Sequence, residues 1–116
     1  MKVAVVTGGA RGIGGAMAVS KTAYAAAKAG LLGFTRGLAR ELAPTITTNA
    51  ICPGSIETDL TRAKFDSIRA EMLASIPMGR VGTPADIGAV VAFLATVTPD
   101  FINGEVIDVD GGQWIN

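Results

Sequence analysis

Histidine is missing altogether from these 116 residues. Its absence excludes Ser-His-Asp and Cys-His catalysis and every histidine-ligated metal site. Cysteine occurs once, at Cys52. No internal disulfide can form from it, one thiol cannot build a zinc site, and a reducing compartment fits. Charge is scarce. Ten basic and ten acidic residues cancel to zero and make up 17% of the chain, against about 25% in ordinary domains. With no basic stripe, nucleic acid is not an expected partner. No uninterrupted apolar run approaches membrane-spanning length, and the one in "MKVAVVTGG" is too short for a signal peptide. The expectation is a soluble, cytoplasmic, metal-free protein that does not engage a membrane.

What is abundant is apolar. Hydrophobic residues reach 49% before the fifteen glycines are counted. A chain of this length builds one domain with a core. With so little charge it must bury a large share of itself or cover its surface with a partner.

Val3–Val6 is a continuous β-branched apolar run ending at glycine, and it reads as a buried parallel strand. A glycine-rich turn over Gly8–Gly14 follows, and Ile13 onward reads as helix. The pattern is helical again from Tyr24 to Ala43, with Leu31, Phe34, Leu38 and Leu42 as its apolar stripe. Gly30, Gly33 and Gly37 form a strip of small residues, and Pro44 ends the helix. Thr47–Cys52 is a second strand, stopped by Pro53-Gly54. Phe65, Ile68, Met72 and Leu73 mark a short amphipathic helix. Thr83 caps another, with Pro84 in its first turn, Asp86 near its positive end, and Ile87, Val90, Val91 and Leu94 as its buried face. Glu105–Val109 is a last strand, ended by Asp110-Gly111-Gly112. Three short apolar strands alternate with three to four helices, so the class is α/β.

Two motifs carry chemistry. "TGGARGIG" follows a strand and opens a helix. Gly8 permits a tight turn, Gly12 lets backbone approach a pyrophosphate, and Gly14 lets the helix pack against the sheet. The helix N-terminus offers free N–H groups to phosphate. Taken alone, the same glycines also serve a plain tight connection. "YAAAK" places Tyr24 and Lys28 four residues apart, on one helix face. A free tyrosine titrates near pH ~10. A neighbouring ammonium favours the phenolate and lowers that value, so Tyr24 becomes a proton donor or acceptor closer to neutrality. The lysine also has donors for a ribose. Alone, a pair at this spacing is mostly a solvated helix face.

Together, Thr-Gly-x-x-x-Gly-x-Gly and Tyr-x-x-x-Lys resemble the signatures of the short-chain dehydrogenase/reductase family. The resemblance continues through "AAKAGLLGFTRGLARELAP", "NAICPGSIETD", "IPMGRVGTPADIGAVVAFLA" and "INGEVIDVDGG". These stretches look like the oxoacyl-carrier-protein reductase-like subgroup and related sugar or polyol dehydrogenases. The resemblance implies a Rossmann-like, doubly wound domain and hydride transfer between NADP or NAD and a carbonyl or alcohol substrate, or an acyl thioester. It implies that Tyr24 exchanges a proton with that substrate, while Lys28 tunes the tyrosine and holds the nicotinamide ribose. Gly8, Arg11, Gly12, Ile13 and Gly14 are implied around the adenosine ribose and phosphates, and Pro53, Gly54, Ile56 and Thr58 against the nicotinamide amide. Arg11 would favour a 2′-phosphate, hence NADP, and also reads as a solvated loop arginine. Asp59–Gly79 matches the family's substrate lid, Asp110-Gly111-Gly112 a structural turn, and a homo-oligomer is implied.

In that family the two signatures lie far apart. Here Tyr24 stands only ten positions after Gly14. The simplest account is a large internal deletion joined between Gly15 and Thr22. It leaves a phosphate loop at 1–15 and the C-terminal half at 22–116 in one truncated domain. The missing span would carry the residue that selects NAD or NADP, the turn under the adenine, a relay asparagine and the catalytic serine. Ser20, Tyr24 and Lys28 form a stripe on a helix. A hydroxyl on the same helix lies about 5.4 Å along the axis from the tyrosine, however, and does not reach the same carbonyl oxygen. Val3–Val6 would lose both its native neighbours. Pairing with Thr47–Cys52, or oligomerisation, would cover what is exposed. Three readings follow: an NAD(P)-dependent reductase, a catalytically impaired remnant acting as an interaction or oligomerisation module, or an incomplete stretch of a longer reductase.

Overall fold

The structure is a computed structural model that describes residues 2–6, 22–96 and 100–115, the side chains of 2–6 and 23–25 excepted. The elements in chain order are β1 (Lys2–Val6), α1 (Thr22–Glu41), β2 (Thr47–Pro53), α2 (Arg62–Ala74), α3 (Pro84–Thr96) and β3 (Val106–Val109). The glycine turn, the helix expected from Ile13 and Ser20 lie outside the described residues.

The strands form one parallel sheet in the order β1-β2-β3. Lys2 to Val6 run beside Thr47 to Ile51, so Val3 faces Thr48 and Val6 faces Ile51. Ala50 to Pro53 run beside Val106 to Val109. The pairing of Val3–Val6 with Thr47–Cys52 is thus the one adopted. The β3 ladder begins at Val106 rather than Glu105, whose N–H is taken by the Asn49 side chain instead.

β2 is the centre of the molecule. Thr48, Asn49, Ala50 and Ile51 are all buried. Asn49 breaks an otherwise apolar strand, and its amide is satisfied on both ends. Its nitrogen donates to the Ile102 carbonyl (3.0 Å) and its oxygen accepts from the Glu105 N–H (3.0 Å), as a buried polar side chain requires. Asn103 works alongside. Its oxygen accepts from the Thr48 N–H (2.9 Å) and its nitrogen donates to the Ala39 carbonyl of α1 (2.8 Å). The segment before β3 therefore clasps β2 and α1 together.

α1 docks on β2 and α3 on β1. The apolar stripe expected on α1 needs correcting. Phe34 is 58% exposed, and the buried positions are Thr35 and Ala39, four apart. Small residues line the contact because backbone comes close there: a Cβ on Gly104 would lie 3.3 Å from the Ala39 Cβ. Thr35 hides its hydroxyl by donating to the Leu31 carbonyl (2.8 Å). α1 ends at Glu41, and Pro44 lies in the turn that follows. On α3, of the four expected core residues, Leu94 is fully buried and Ile87, Val90 and Val91 are half-buried. α2 leaves helical geometry at Ile68 and buries Phe65 and Met72. These two pack with Ile76, Ile68 and Val81 into a cluster of their own.

Candidate functional site at the carboxyl end of the sheet

In open α/β sheets ligands bind outside the carboxyl ends of the strands. Here β2 and β3 end level at Pro53 and Val109, and β1 ends at Val6, opposite Ile51, two residues short of them. The turn leaving β2 is held on every side. The Gly54 N–H donates to the Val109 carbonyl (3.1 Å). A Cβ on Gly54 would lie 2.6 Å from the Asp110 Cβ and 2.7 Å from its Cα. Only glycine lets the two strand exits meet this closely, which gives Gly54 a packing role whatever it binds.

Further along, the Ser55 N–H (3.1 Å) and hydroxyl (3.0 Å) both donate to the Gln113 side-chain oxygen, and the Gln113 nitrogen donates to the Ser75 hydroxyl (3.1 Å). Gly82 then pairs with the turn: its N–H donates to Ser55 (2.9 Å) and its carbonyl accepts from Glu57 (2.9 Å). That bridge uses the neighbours of Ile56, so the N–H and C=O of Ile56 face the other way. The Ile56 carbonyl accepts from the Thr61 hydroxyl. Its N–H is left over among the described residues. Thr58 donates its own N–H to the Thr61 hydroxyl (2.8 Å). The turn is thus rigid, with one backbone donor to spare.

α1 brings its residues to the same end. Its last turn is pinned to the start of β2, because Asn103 joins the Ala39 carbonyl to the Thr48 N–H. From Ala39, Lys28 lies about 16 Å back along the helix axis. From Thr48, Pro53 lies about 16 Å on along the strand. With α1 docked on β2, a helix running antiparallel to the strand would set Lys28 about level with Pro53 and Tyr24 one turn beyond.

Of the supports around this turn, the Thr83–Asp86 start of α3 and the Asp110-Gly111-Gly112 turn are expected from local pattern, whereas the roles of Arg69 and Arg80 are not. Arg69 of α2 holds both Glu57 (2.6 Å) and Asp66 (2.8 Å), which ties α2 to the turn. Arg80 grips the Asp86 carboxylate through both terminal nitrogens (2.8 Å each). Asp86 also accepts from the Thr83 N–H (2.7 Å), completing a reciprocal cap at the start of α3. The Arg80 hydrogen bond first, and then those from Thr83, hold its carboxyl well below the usual carboxylate range. Asp110 accepts from the N–H groups of Gly112 and Trp114 (2.9 Å each), so the Asp110-Gly111-Gly112 turn is structural. A hollow of about 110 Å³ is lined by Ser55 and Ile56 of the turn together with Gly82, Asp86 and Asp110.

A family model described as Enoyl-(Acyl carrier protein) reductase matches residues 5–113. The chain belongs to the short-chain dehydrogenase/reductase family. This is a family of NAD(P)-dependent oxidoreductases. Among its curated members, the 3-oxoacyl-acyl-carrier-protein reductase of Salmonella typhimurium is 52% identical over 93 residues, covering 79% of this chain and 38% of that enzyme. The corresponding reductase of Vibrio harveyi is 47% identical over 96 residues, 82% of this chain and 39% of that enzyme. A solved structure from Brucella melitensis, a short-chain dehydrogenase/reductase described as a glucose/ribitol dehydrogenase, superimposes with a TM-score of 0.86 at 32% identity. It covers 99% of this chain and 46% of that one. The chain therefore spans less than half the length of these short-chain dehydrogenase/reductase relatives.

Of the residues expected in the site, Pro53, Gly54, Ile56 and Thr58 lie at the end of β2 and in the turn that leaves it, and Tyr24 and Lys28 lie four residues apart on α1, the helix that docks on β2. Gly8, Arg11, Gly12, Ile13 and Gly14 fall outside the described residues. Among the described residues no helix is long and apolar enough to cross a membrane, and no His/Cys/Asp/Glu group could hold a metal.

Proposed function

We propose that this chain is an NAD(P)-dependent oxidoreductase that reduces the carbonyl of a small molecule or acyl thioester, with NADP favoured as cofactor. The reading is supported by the turn at the end of β2, held on both sides with the Ile56 N–H to spare, next to the helix α1 that carries Tyr24 and Lys28 and docks on β2. These residues fit the nicotinamide end of the cofactor: Lys28 has donors for the ribose, and Ile56 has one for the carboxamide. When bound, the nicotinamide supplies the hydride. Tyr24 then gives its phenolic proton to the carbonyl oxygen as the alcohol forms, and Lys28 lowers the cost of the phenolate left behind. The names of the relatives support a 3-oxoacyl thioester as substrate.

The test is the consumption of reduced nicotinamide cofactor with a short 3-oxoacyl thioester. Turnover should fall by about 10²-fold or more in Tyr24→Phe, the range of a lost general acid. Turnover that survives this substitution would remove Tyr24 from the mechanism.

A second reading is favoured by a separate observation. On α1, Phe34 is exposed, and Gly33 and Gly37 have open space where a side chain would stand. This face suits close contact with the same helix in a second copy. An association module that has lost catalysis would keep it. Light scattering at micromolar concentration should then report a dimer or larger assembly that Gly33→Leu weakens. A well-folded monomer would exclude this reading.

A further inference from the structure

We infer that Arg69 is a positioning residue that couples both pieces of the bent helix α2 to the turn presenting the Ile56 N–H. Its consequence for ligand binding rests on the nicotinamide-side reading above. α2 consists of two helical pieces, 62–67 and 69–74, because Ile68 leaves helical geometry (φ −128°, ψ 18°). The cause is local. Ser67 donates its hydroxyl to the Lys64 carbonyl (2.7 Å), the acceptor that the Ile68 N–H takes in a regular helix. With helical geometry broken there, side chains set the angle between the pieces. Phe65 anchors the first piece in the apolar cluster and Met72 the second.

Arg69 is the first residue after the bend, and three parts meet at it. Its Nη2 donates to Asp66 Oδ1, before the bend (2.8 Å), and to Glu57 Oε1, in the turn (2.6 Å). Both carboxylates share one nitrogen, so removing the cation leaves two negative charges facing each other. Glu57 stands between Ile56 and Thr58, and its N–H donates to the Gly82 carbonyl (2.9 Å). The start of α2 is held to the same turn by Thr61, whose hydroxyl donates to the Ile56 carbonyl (3.1 Å). Arg69 adds the second piece. The three ionic side chains are partly exposed, at 41% for Arg69, 30% for Glu57 and 61% for Asp66. The clasp is therefore weakened by salt. A ligand that takes the Ile56 N–H and orders the turn also orders α2 beyond the bend, and the coupling is reciprocal.

The experiment is amide hydrogen exchange by NMR on the whole chain, with and without NADPH, in wild type, Arg69→Leu, Arg69→Lys and Glu57→Gln. Arg69→Leu and Glu57→Gln should speed exchange at Glu57, Thr58 and 72–74 by about fivefold, the upper range for an exposed ion pair. Ala50 and Ile51 of β2 should keep their rates. Arg69→Lys should retain most of the protection, because one nitrogen makes both contacts. Salt at ~1 M should reproduce the Arg69→Leu pattern in wild type. NADPH should slow exchange at 72–74 in wild type but not in Arg69→Leu, and should bind that variant about fivefold more weakly. Unchanged rates at Glu57 and Thr58 would overturn the clasp. So would rates that rise equally at Ala50 and Ile51, the mark of a general loss of stability. Wild type that fails to bind NADPH, with the exchange pattern as expected, would overturn the nicotinamide-side reading and leave the clasp standing.

Discussion

Val6 of β1 lies directly opposite Ile51 of β2. This one register decides most of what the chain can do. It makes β2 the middle strand of the three described ones and sets the end of β1 two residues before Pro53.

Two glycines should respond in opposite directions to a methyl group. A Cβ on Gly54 would sit 2.6 Å from Asp110, whereas Gly33 has nothing within 4 Å. Gly54→Ala should destabilise the fold by about 1–3 kcal/mol through overpacking. Gly33→Ala, in an exposed stretch of α1, should stabilise it by about 0.5–1 kcal/mol. Urea denaturation of both variants checks the pair. A silent Gly54→Ala would mean that the two strand exits are further apart than described.

The Thr48 hydroxyl is buried with no hydrogen-bond partner among the described residues. Replacing it with a methyl removes the desolvation cost of an unmade bond. Thr48→Val should therefore raise stability by about 1 kcal/mol, read as a higher urea midpoint at unchanged slope. A loss of stability would reveal a partner for the hydroxyl.

Asp86 has its pKa depressed in the fold, chiefly by Arg80 and then by Thr83. Such a group stabilises the folded state above the ordinary carboxylate value of 3.8, and the contribution is lost as pH falls toward the lower folded value. Thermal midpoints of wild type and Asp86→Asn should differ at about pH 7, and the difference should begin to shrink only as pH falls below 3.8 and vanish toward the lower folded value. Because Asp86 and Arg80 are partly exposed, the gap should also narrow in high salt. A gap independent of pH would assign the effect of Asp86 to something other than its charge.

Lys28 acts on Tyr24 through charge in the proposed reaction. Lys28→Ala should raise the pH at which the tyrosine ionises, moving the pH optimum of any turnover upward. Loss of rate without a shift in the profile would leave the lysine a cofactor-binding role alone.

Much of the architecture was legible because local rules agreed with the final packing. The β-branched run Val3–Val6 and the Thr83-Pro84-Asp86 start of α3 needed no tertiary context. Phe34 misled because a stripe pattern cannot tell which side of a helix meets a close backbone. Gly104 and Asn103 press against Ala39, so the small residues Thr35 and Ala39 face inward and the ring is left outside. The clasp of Asn49 and Asn103 was invisible for another reason. Both partners are remote in sequence, and an asparagine in a strand looks like a flaw until its two hydrogen bonds are seen. In the candidate site, Tyr24 and Lys28 announced themselves by spacing. The spare Ile56 N–H follows from the bridge to Gly82, which no local pattern encodes.

The pairing of β1 with β2 is the claim on which the three-stranded sheet depends, and NMR on isotope-labelled chain tests it directly. The account predicts parallel cross-strand backbone NOEs linking Val3–Val6 to Thr48–Ile51, in the register that sets Val6 against Ile51, with slow amide exchange along β2. An absence of these NOEs, with β1 amides exchanging at unfolded rates while β2 and β3 remain protected, would contradict it.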